Sequence, residues 1–379
     1  MANTFPSAFP NRLPTSCRAA ALFLLWHVSE NMVAVGGATA PPPFEVVRQS
    51  GEARRGCLKG KLETPAPLLY TRRGFPPPLT LRELDALAQT SLPRKEGKAS
   101  SGGAGMTLAL QINAADFFEQ DNRGAVMAKC EGGVRHFCGL GERDHLVLLT
   151  HRDALNLQTG MPASDGWVTM QTPGGQLKVT ADEYVAFVGS AKPDVAVCLS
   201  DEVSADSSDK RVKKSIERSA EWTRKCLTAR EAGVIPQSTL LLAPVLGGIF
   251  ERERGKSAAD AAASAADGYA ISGLGGWESP AQRASLVALT LAALDGGKPR
   301  ALLGVGNPAE VLESVALGVD LIETAYPYTV RSVPAQRCSV CLPSLACLSL
   351  SSAAPLAPSP SPSLLPLPLS VLRPLPFPR

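Results

Sequence analysis

Short apolar runs alternate with amphipathic segments through the middle of the chain, and Gly or Pro residues bound most of the runs. Near-continuous apolar runs of this kind are typical of parallel strands that are buried on both faces. We therefore predict strands at 68–71, 107–112, 146–150, 194–200, 239–245, 269–274, 301–305 and 321–325. Between the later strands, amphipathic patterns predict helices at 209–232, 257–266, 280–294 and 308–317.

This alternation of strands and helices indicates an α/β fold with a parallel sheet. Pro280 and Pro308 fall at the starts of two predicted helices, where a missing N–H costs nothing. No glycine fingerprint follows the first strand, which disfavours a dinucleotide-binding fold. Eight strands are enough for a (β/α)8 TIM-type barrel, whose active site would lie at the C-terminal ends of the strands.

The two ends of the chain differ in composition from this middle part. Residues 1–43 contain Arg12 and Arg18 but no acid before Glu30, which is typical of a disordered or transit-peptide-like extension. The end of the chain is rich in Pro, Ser and Leu, and prolines at that density prevent helix and central strand. The predicted domains are thus an extension over 1–43, a barrel over 44–330 and a low-complexity, disordered tail over 331–379.

Composition limits the class of protein. Of the 379 residues, 45% are hydrophobic, which is ample for one large core. A net charge of +3 is too small by itself to indicate nucleic-acid binding, and no DNA partner is expected. Nine cysteines without tight spacing indicate reduced thiols inside a cell. The longest apolar run near the start is too short to span a bilayer, so no transmembrane segment is expected. We expect a cytoplasmic protein, with mitochondrial association as the alternative if residues 1–43 act as a targeting signal.

Acids and glycines follow several predicted strands, where a barrel would build its site. Asp201 and Glu202 follow the strand at 194–200, and Glu323 lies within the last strand. Carboxylates there could accept ring N–H donors or attack an electrophilic carbon. Glycines after three other strands would let the backbone approach a flat ligand; they are Gly247, Gly248, Gly273, Gly275, Gly276, Gly304 and Gly306. The alternative is that Asp201 and Glu202 only open a solvated loop.

Four stretches, in order and correctly spaced, are similar to the tRNA-guanine transglycosylases, which exchange a guanine in tRNA for a deazaguanine base. They read KKSIERSAEWTRKCL at 213–227, APVLGGIFERER at 243–254, GYAISGL at 268–274 and PRALLGVGNPAEVLESVALGVDLIE at 299–323. Within this family, the stretches at 67–80, 192–202 and 318–328 resemble the non-catalytic subunits of heterodimeric eukaryotic enzymes.

Departures from the catalytic pattern strengthen this second resemblance. Glu323 stands where catalytic members have a nucleophilic aspartate, and a misplacement of ~1 Å can cost about a hundredfold in rate. Residues 146–167 contain no Ser-Gly-Gly-Phe-Gln motif and no catalytic aspartate before it, and Leu246 replaces the glutamine of a Val-Gln-Gly-Gly motif. The basic patch that follows the last strand in catalytic members is absent at 327–330. No catalytic residue is therefore expected, and Asp201, Gly247, Gly248 and Gly273 are interpreted as vestigial substrate-binding positions.

The resemblance implies a subunit that pairs with a catalytic queuine tRNA-ribosyltransferase subunit and acts on tRNA. Two alternatives remain open: an active transglycosylase with Glu323 as nucleophile, and a barrel binding module without a tRNA role. Basic residues of the predicted helix at 209–232 could contact tRNA phosphates, but interspersed acids favour a solvated, ion-paired face; they are Lys210, Lys214, Arg218 and Lys225.

Zinc is expected in the family but not as a complete site in this sequence. The family's site is Cys-x-Cys-x-x-Cys followed by a histidine, and structural zinc needs four ligands. Here Cys338, Cys341 and Cys347 have a different spacing, and all four histidines lie upstream of them. These cysteines are weak metal candidates, and we expect the barrel to lack the family's C-terminal zinc subdomain.

Overall fold

The computed structural model describes residues 42–332, apart from 78, 90–105, 120–123, 142, 156–160, 205–206 and 277. The predicted tail, the three candidate zinc cysteines and nearly all of the predicted N-terminal extension lie outside the described residues.

In the described part, the strands are β1 (Phe44–Ser50), β2 (Ala53–Leu58), β3 (Leu62–Thr64), β4 (Ala66–Tyr70), β5 (Ala109–Asn113), β6 (Leu146–Thr150), β7 (Trp167–Thr172), β8 (Gly175–Thr180), β9 (Val195–Val197), β10 (Leu240–Val245), β11 (Gly268–Ile271), β12 (Arg300–Leu302) and β13 (Leu321–Thr324). The helices are α1 (Leu81–Gln89), α2 (Gly133–Phe137), α3 (Ala181–Ala191), α4 (Asp209–Glu231), α5 (Glu251–Ala262), α6 (Pro280–Ala292), α7 (Pro308–Ala316) and α8 (Tyr326–Ser332).

Eight of the strands form a closed parallel barrel in the order β4-β5-β6-β9-β10-β11-β12-β13. The barrel closes where β13 pairs with β4, with Leu321 opposite Ala66 and Thr324 opposite Leu69. All eight strands coincide with predicted strands to within a few residues, and the (β/α)8 fold is confirmed. One apolar cluster fills the interior of the barrel, and a larger one packs the outer faces of the strands against the helices.

Local sequence signals account for the helix starts. Asn307 caps α7, and Glu310 reaches back to the Asn307 backbone to complete a capping box. Ser279 caps α6 directly before Pro280. Helix α5 begins at Glu251 instead of the predicted residue 257, because its first turns are polar and carry no apolar period. Its acids Glu251 and Glu253 nevertheless suit the positive end of the helix dipole.

The antiparallel sheet β1-β2-β3 was not predicted, and it closes the N-terminal end of the barrel. Phe44, Leu58 and Leu62 from this sheet belong to the same apolar cluster as the residues of the barrel interior. Only Phe44 of β1 is buried, and the buried positions of β2 are Arg54, Gly56 and Leu58, so this sheet shows little apolar pattern. The hairpin β7-β8 was also missed, because its strands contain no continuous apolar run of the kind from which the barrel strands were predicted.

A buried ion pair ties this sheet to the last barrel strand. Arg54 on β2 donates from Nε to Asp320 Oδ1 at 2.8 Å, and both side chains are almost fully buried. Burial raises the pKa of Asp320, while Arg54 and the Arg300 N–H act against that rise. Arg54 also donates to the carbonyl oxygen of Lys298 at 2.8 Å. Within the described residues no helix is long and apolar enough to cross a membrane.

We predict that Arg54→Met lowers the free energy of unfolding by about 3–5 kcal/mol, because Asp320 would be left as an unpaired buried charge. Arg55→Met is the matched control: Arg55 is the next residue, and its partner Glu63 is exposed, so the expected loss is below about 1 kcal/mol. Urea unfolding of both variants measures the difference. Equal losses would show that the Arg54–Asp320 pair has no special role.

Candidate functional site

Glu323 lies at the C-terminal end of β13, and its side chain is 2% exposed. Its Oε2 accepts a hydrogen bond from the Gly304 backbone N–H at 2.6 Å and from Arg152 Nη2 at 3.2 Å. Its Oε1 accepts a hydrogen bond from Gln111 Nε2. The donors follow or belong to three other strands, β12, β6 and β5. Both carboxylate oxygens are therefore held by the protein itself.

Arg152 bridges Glu323 to a second buried carboxylate. Its Nε lies 3.0 Å from Glu202 Oε1, and the two side chains are 13% and 8% exposed. Burial by itself lowers the pKa of Arg152, but the charges of Glu202 and Glu323 outweigh it and the net direction is upward. Two acids at the barrel mouth thus share one guanidinium from the loop after β6.

Asp201 is paired as well. Arg211 donates to both of its oxygens at 2.7 Å, and Arg218 Nη1 donates to Oδ2 at 3.0 Å. The Asp201 N–H donates to Ser219 Oγ at 2.9 Å. Asp201 is 1% exposed, so the solvated-loop alternative is wrong for this residue. The Glu202 side chain is 8% exposed and lies against Arg152.

The basic residues of α4 are largely engaged with acids. Arg218 also pairs with Asp165, as does Lys214 at 3.4 Å. Lys225 lies 2.9 Å from Asp182. This face of α4 therefore carries several ion pairs, as the sequence favoured. Most of the acidic partners, however, come from other segments of the chain.

The glycines after β10 are explained by their own loop. Gly247 has φ +131°, and a Cβ there would lie 2.5 Å from the Arg254 backbone nitrogen. The Gly248 carbonyl oxygen accepts two hydrogen bonds from Arg254, from Nε at 3.1 Å and from Nη2 at 2.8 Å. Arg254 is fully buried, and burial lowers its pKa to about 10. Gly273, after β11, has φ +72°.

An apolar cluster occupies the position where the family motif has its glutamine. Leu246 is 2% exposed and packs with Val203, Val212 and Ile216, with Phe250 against them. A leucine side chain neither donates nor accepts hydrogen bonds, so Leu246 cannot recognise the polar edge of a base. Residues expected as vestigial substrate-binding positions are thus engaged within the protein, Asp201 with two arginines and Gly248 with Arg254.

His151, directly before Arg152, is also buried. Its Nε2 lies 3.3 Å from Ser200 Oγ, and its ring packs edge-on against Tyr184. Burial, with a smaller contribution from the Arg152 charge, lowers the pKa of His151 to about 3. A proton on His151 near neutral pH is therefore excluded, and the residue cannot act there as a general acid.

Two residues of this network, Gln111 and Arg152, were missed from the sequence. Gln111 is a polar residue inside an otherwise apolar strand, which is a signal in itself because a buried amide needs partners. Arg152 follows β6 by two residues, at the strand end where barrel enzymes place functional groups. Neither residue could be assigned a partner without the closed barrel, because Glu323 is far away in sequence.

The described residues contain no cluster of three or more His, Cys, Asp and Glu side chains arranged to hold a metal ion. The cysteines in this part of the chain, Cys57, Cys130, Cys138, Cys198 and Cys226, are all free thiols. Cys338, Cys341 and Cys347 lie outside this part of the chain, so the zinc prediction stays untested.

The fold and the site define a (β/α)8 barrel with paired carboxylates in its mouth. The chain belongs to the queuine tRNA-ribosyltransferase family, whose model matches residues 50–332. It is 31% identical over 271 residues to queuine tRNA-ribosyltransferase accessory subunit 2 of Xenopus tropicalis, covering 71% of this chain and 60% of that protein. The human protein of the same name is 29% identical over 295 residues, 73% of this chain and 65% of its own length. The chain thus spans less than two thirds of the length of these two relatives.

We predict that His151 makes the protein less stable in mild acid. The unfolded chain binds a proton at this residue below its usual pKa of 6.5, whereas the folded protein does not until about pH 3. The free energy of unfolding therefore falls as the pH drops through this window, by about 2 kcal/mol between about pH 7.5 and about pH 5 from this residue alone.

His151→Gln should remove that part of the loss in urea unfolding at the two pH values. His136→Gln, at an exposed position, should leave the pH dependence unchanged; an unchanged dependence in His151→Gln would contradict the prediction.

We also predict that Arg152→Met destabilises the protein by about 3–5 kcal/mol, because two buried carboxylates lose their cation. Adding Glu323→Gln removes one of the stranded charges, so the double variant should be more stable than Arg152→Met alone. Thermal and urea unfolding of the two single variants and the double variant give the coupling. Additive losses would show that Arg152 and Glu323 do not stabilise each other.

Proposed function

We propose that this chain is a non-catalytic subunit that pairs with a catalytic queuine tRNA-ribosyltransferase subunit. The pair would exchange guanine for queuine at the wobble position of the tRNA anticodon. One observation carries the proposal: the carboxylate at the position of the family nucleophile is held by Gln111, Arg152 and Gly304. A nucleophile must be free to approach an electrophilic carbon, and Glu323 has both oxygens occupied and almost no exposed surface.

The comparisons support the same role. The relatives described above carry the name of an accessory subunit. In this chain the base-binding side of the site is filled by Leu246 and its apolar neighbours, and Asp201 is neutralised by two arginines. A heterodimer in the cytoplasm, with tRNA bound chiefly through the catalytic subunit, fits these features. The barrel would contribute an interface and stabilise the complex, and zinc has no assigned role in it.

Guanine exchange tests the proposal. The full chain is purified alone and together with a tagged catalytic queuine tRNA-ribosyltransferase subunit, and incorporation of labelled guanine into tRNA is measured. We expect co-purification, exchange by the complex and none by the chain alone. Glu323→Gln in this chain should leave the exchange by the complex unchanged, with thermal unfolding as the control for its fold.

Two outcomes would favour the alternatives. Incorporation by the chain alone that disappears in Glu323→Gln would identify an active transglycosylase with Glu323 as nucleophile. Failure to co-purify with the catalytic subunit would favour a barrel binding module without a role in tRNA modification. Glu202→Gln is a second variant for the first case, because it perturbs the same network without touching Glu323.

A further inference from the structure

A cleft of about 470 Å³ opens beside the site, between the rim of the barrel and the hairpin β7-β8. Arg72 and Arg73 follow β4, Asp116 follows β5 and Asp153 follows β6. Gln171 and Thr172 line the cleft from β7. The volume lies in the range of sites that hold small organic ligands.

Arg72 is fixed in this cleft along its hydrogen-bonding edges. Its Nη1 donates to Asp116 Oδ1 at 2.9 Å, and its Nη2 lies 2.7 Å from Asp153 Oδ2. The two carboxylates are 3% and 8% exposed, whereas the Arg72 side chain is 46% exposed. The acids thus lie below the arginine and hold a guanidinium that remains open to the cleft.

An aromatic ring lies on one side of this guanidinium. The Arg72 Cζ lies 5.8 Å from the centroid of the Tyr70 ring, and Tyr70 itself packs against Tyr328 at 5.5 Å. Guanidinium N–H groups point along the plane of the group, so Asp116 and Asp153 occupy its edges. The Arg72 side chain remains 46% exposed despite these contacts, so part of it is open to the cleft.

The charges lining the cleft do not favour an anion. Asp116 and Asp153 balance Arg72 and Arg73, and Arg73 also lies 3.5 Å from Glu119. A neutral planar ring suits such a surface better than a phosphate, because nucleobases stack on arginine planes and aromatic rings. Gln171 and Thr172 also line the cleft. Polar residues of this kind suit the polar edge of a base better than an apolar aromatic ring.

We propose that this cleft binds a single unstacked nucleobase against the exposed part of the Arg72 side chain. The base could belong to a single-stranded RNA or to a free nucleoside, since the chemistry of recognition is shared. The cleft uses none of the residues that hold Glu323, so the proposal is independent of the role assigned to the carboxylate network.

Saturation-transfer NMR on the full chain tests this site with four nucleosides, adenosine, guanosine, cytidine and uridine, as probes. We expect transfer to the base protons of at least one nucleoside. In Arg72→Lys binding should weaken by about fivefold or more, because lysine keeps the charge but loses the planar surface. Arg55→Lys, at an exposed ion pair on β2, is the matched control and should bind as the unchanged protein does. Gln171→Ala leaves both Arg72 ion pairs intact and should also weaken binding, so the proposal stays testable if Arg72→Lys does not fold.

A single-stranded hexanucleotide identifies the source of the base: tighter binding than the nucleoside indicates an RNA strand, and equal affinity indicates a free nucleoside. N-acetyltyrosinamide and inorganic phosphate are the competing probes. Absence of nucleoside binding, or equal binding by Arg72→Lys and the unchanged protein, would overturn the proposal. Preferential binding of N-acetyltyrosinamide or of phosphate would also overturn it, in favour of a protein partner or an anion site.

Discussion

The mouth of this barrel depends on one cation, the Arg152 guanidinium, which lies between Glu202 and Glu323. Without it, two nearly buried carboxylates would face each other with no counter-charge, and the cost of burying unpaired charge is large. The same ion pairs also limit the reactivity of the two carboxylates. A carboxylate that is neutralised and held by three donors contributes to the fold, and it is poorly suited to attack a substrate.

Other buried acids of the barrel are also paired with arginines. Arg211 and Arg218 neutralise Asp201 at the mouth, and Arg54 neutralises Asp320 at the opposite end, where the β1-β2-β3 sheet covers the interior. Each acid lies in or beside a barrel strand, and its arginine partners come from another element, α4 for Asp201 and β2 for Asp320. These acids thus join other elements to the barrel.

The barrel could be predicted from the sequence because its strands are continuous apolar runs, such as LVLLT at 146–150, which need only local pattern. The β1-β2-β3 sheet could not, because β1 buries only Phe44 and two of the three buried residues of β2 are Arg54 and Gly56, so the apolar pattern is weak. At the site, the positions of Asp201 and Glu323 followed from strand ends. Their arginine partners did not, because pairing across the mouth depends on three-dimensional closure: Arg152 and Glu323 come from β6 and β13, far apart in the chain.

If Glu323 is a structural anion, it forms no bond to substrate. Denaturing electrophoresis of the chain after incubation with labelled tRNA reveals any covalent protein–RNA adduct. We expect no adduct for the unchanged chain and none for Glu323→Gln, while the catalytic subunit treated in parallel shows one. A denaturation-stable adduct that forms with the unchanged chain and is lost in Glu323→Gln would contradict this expectation.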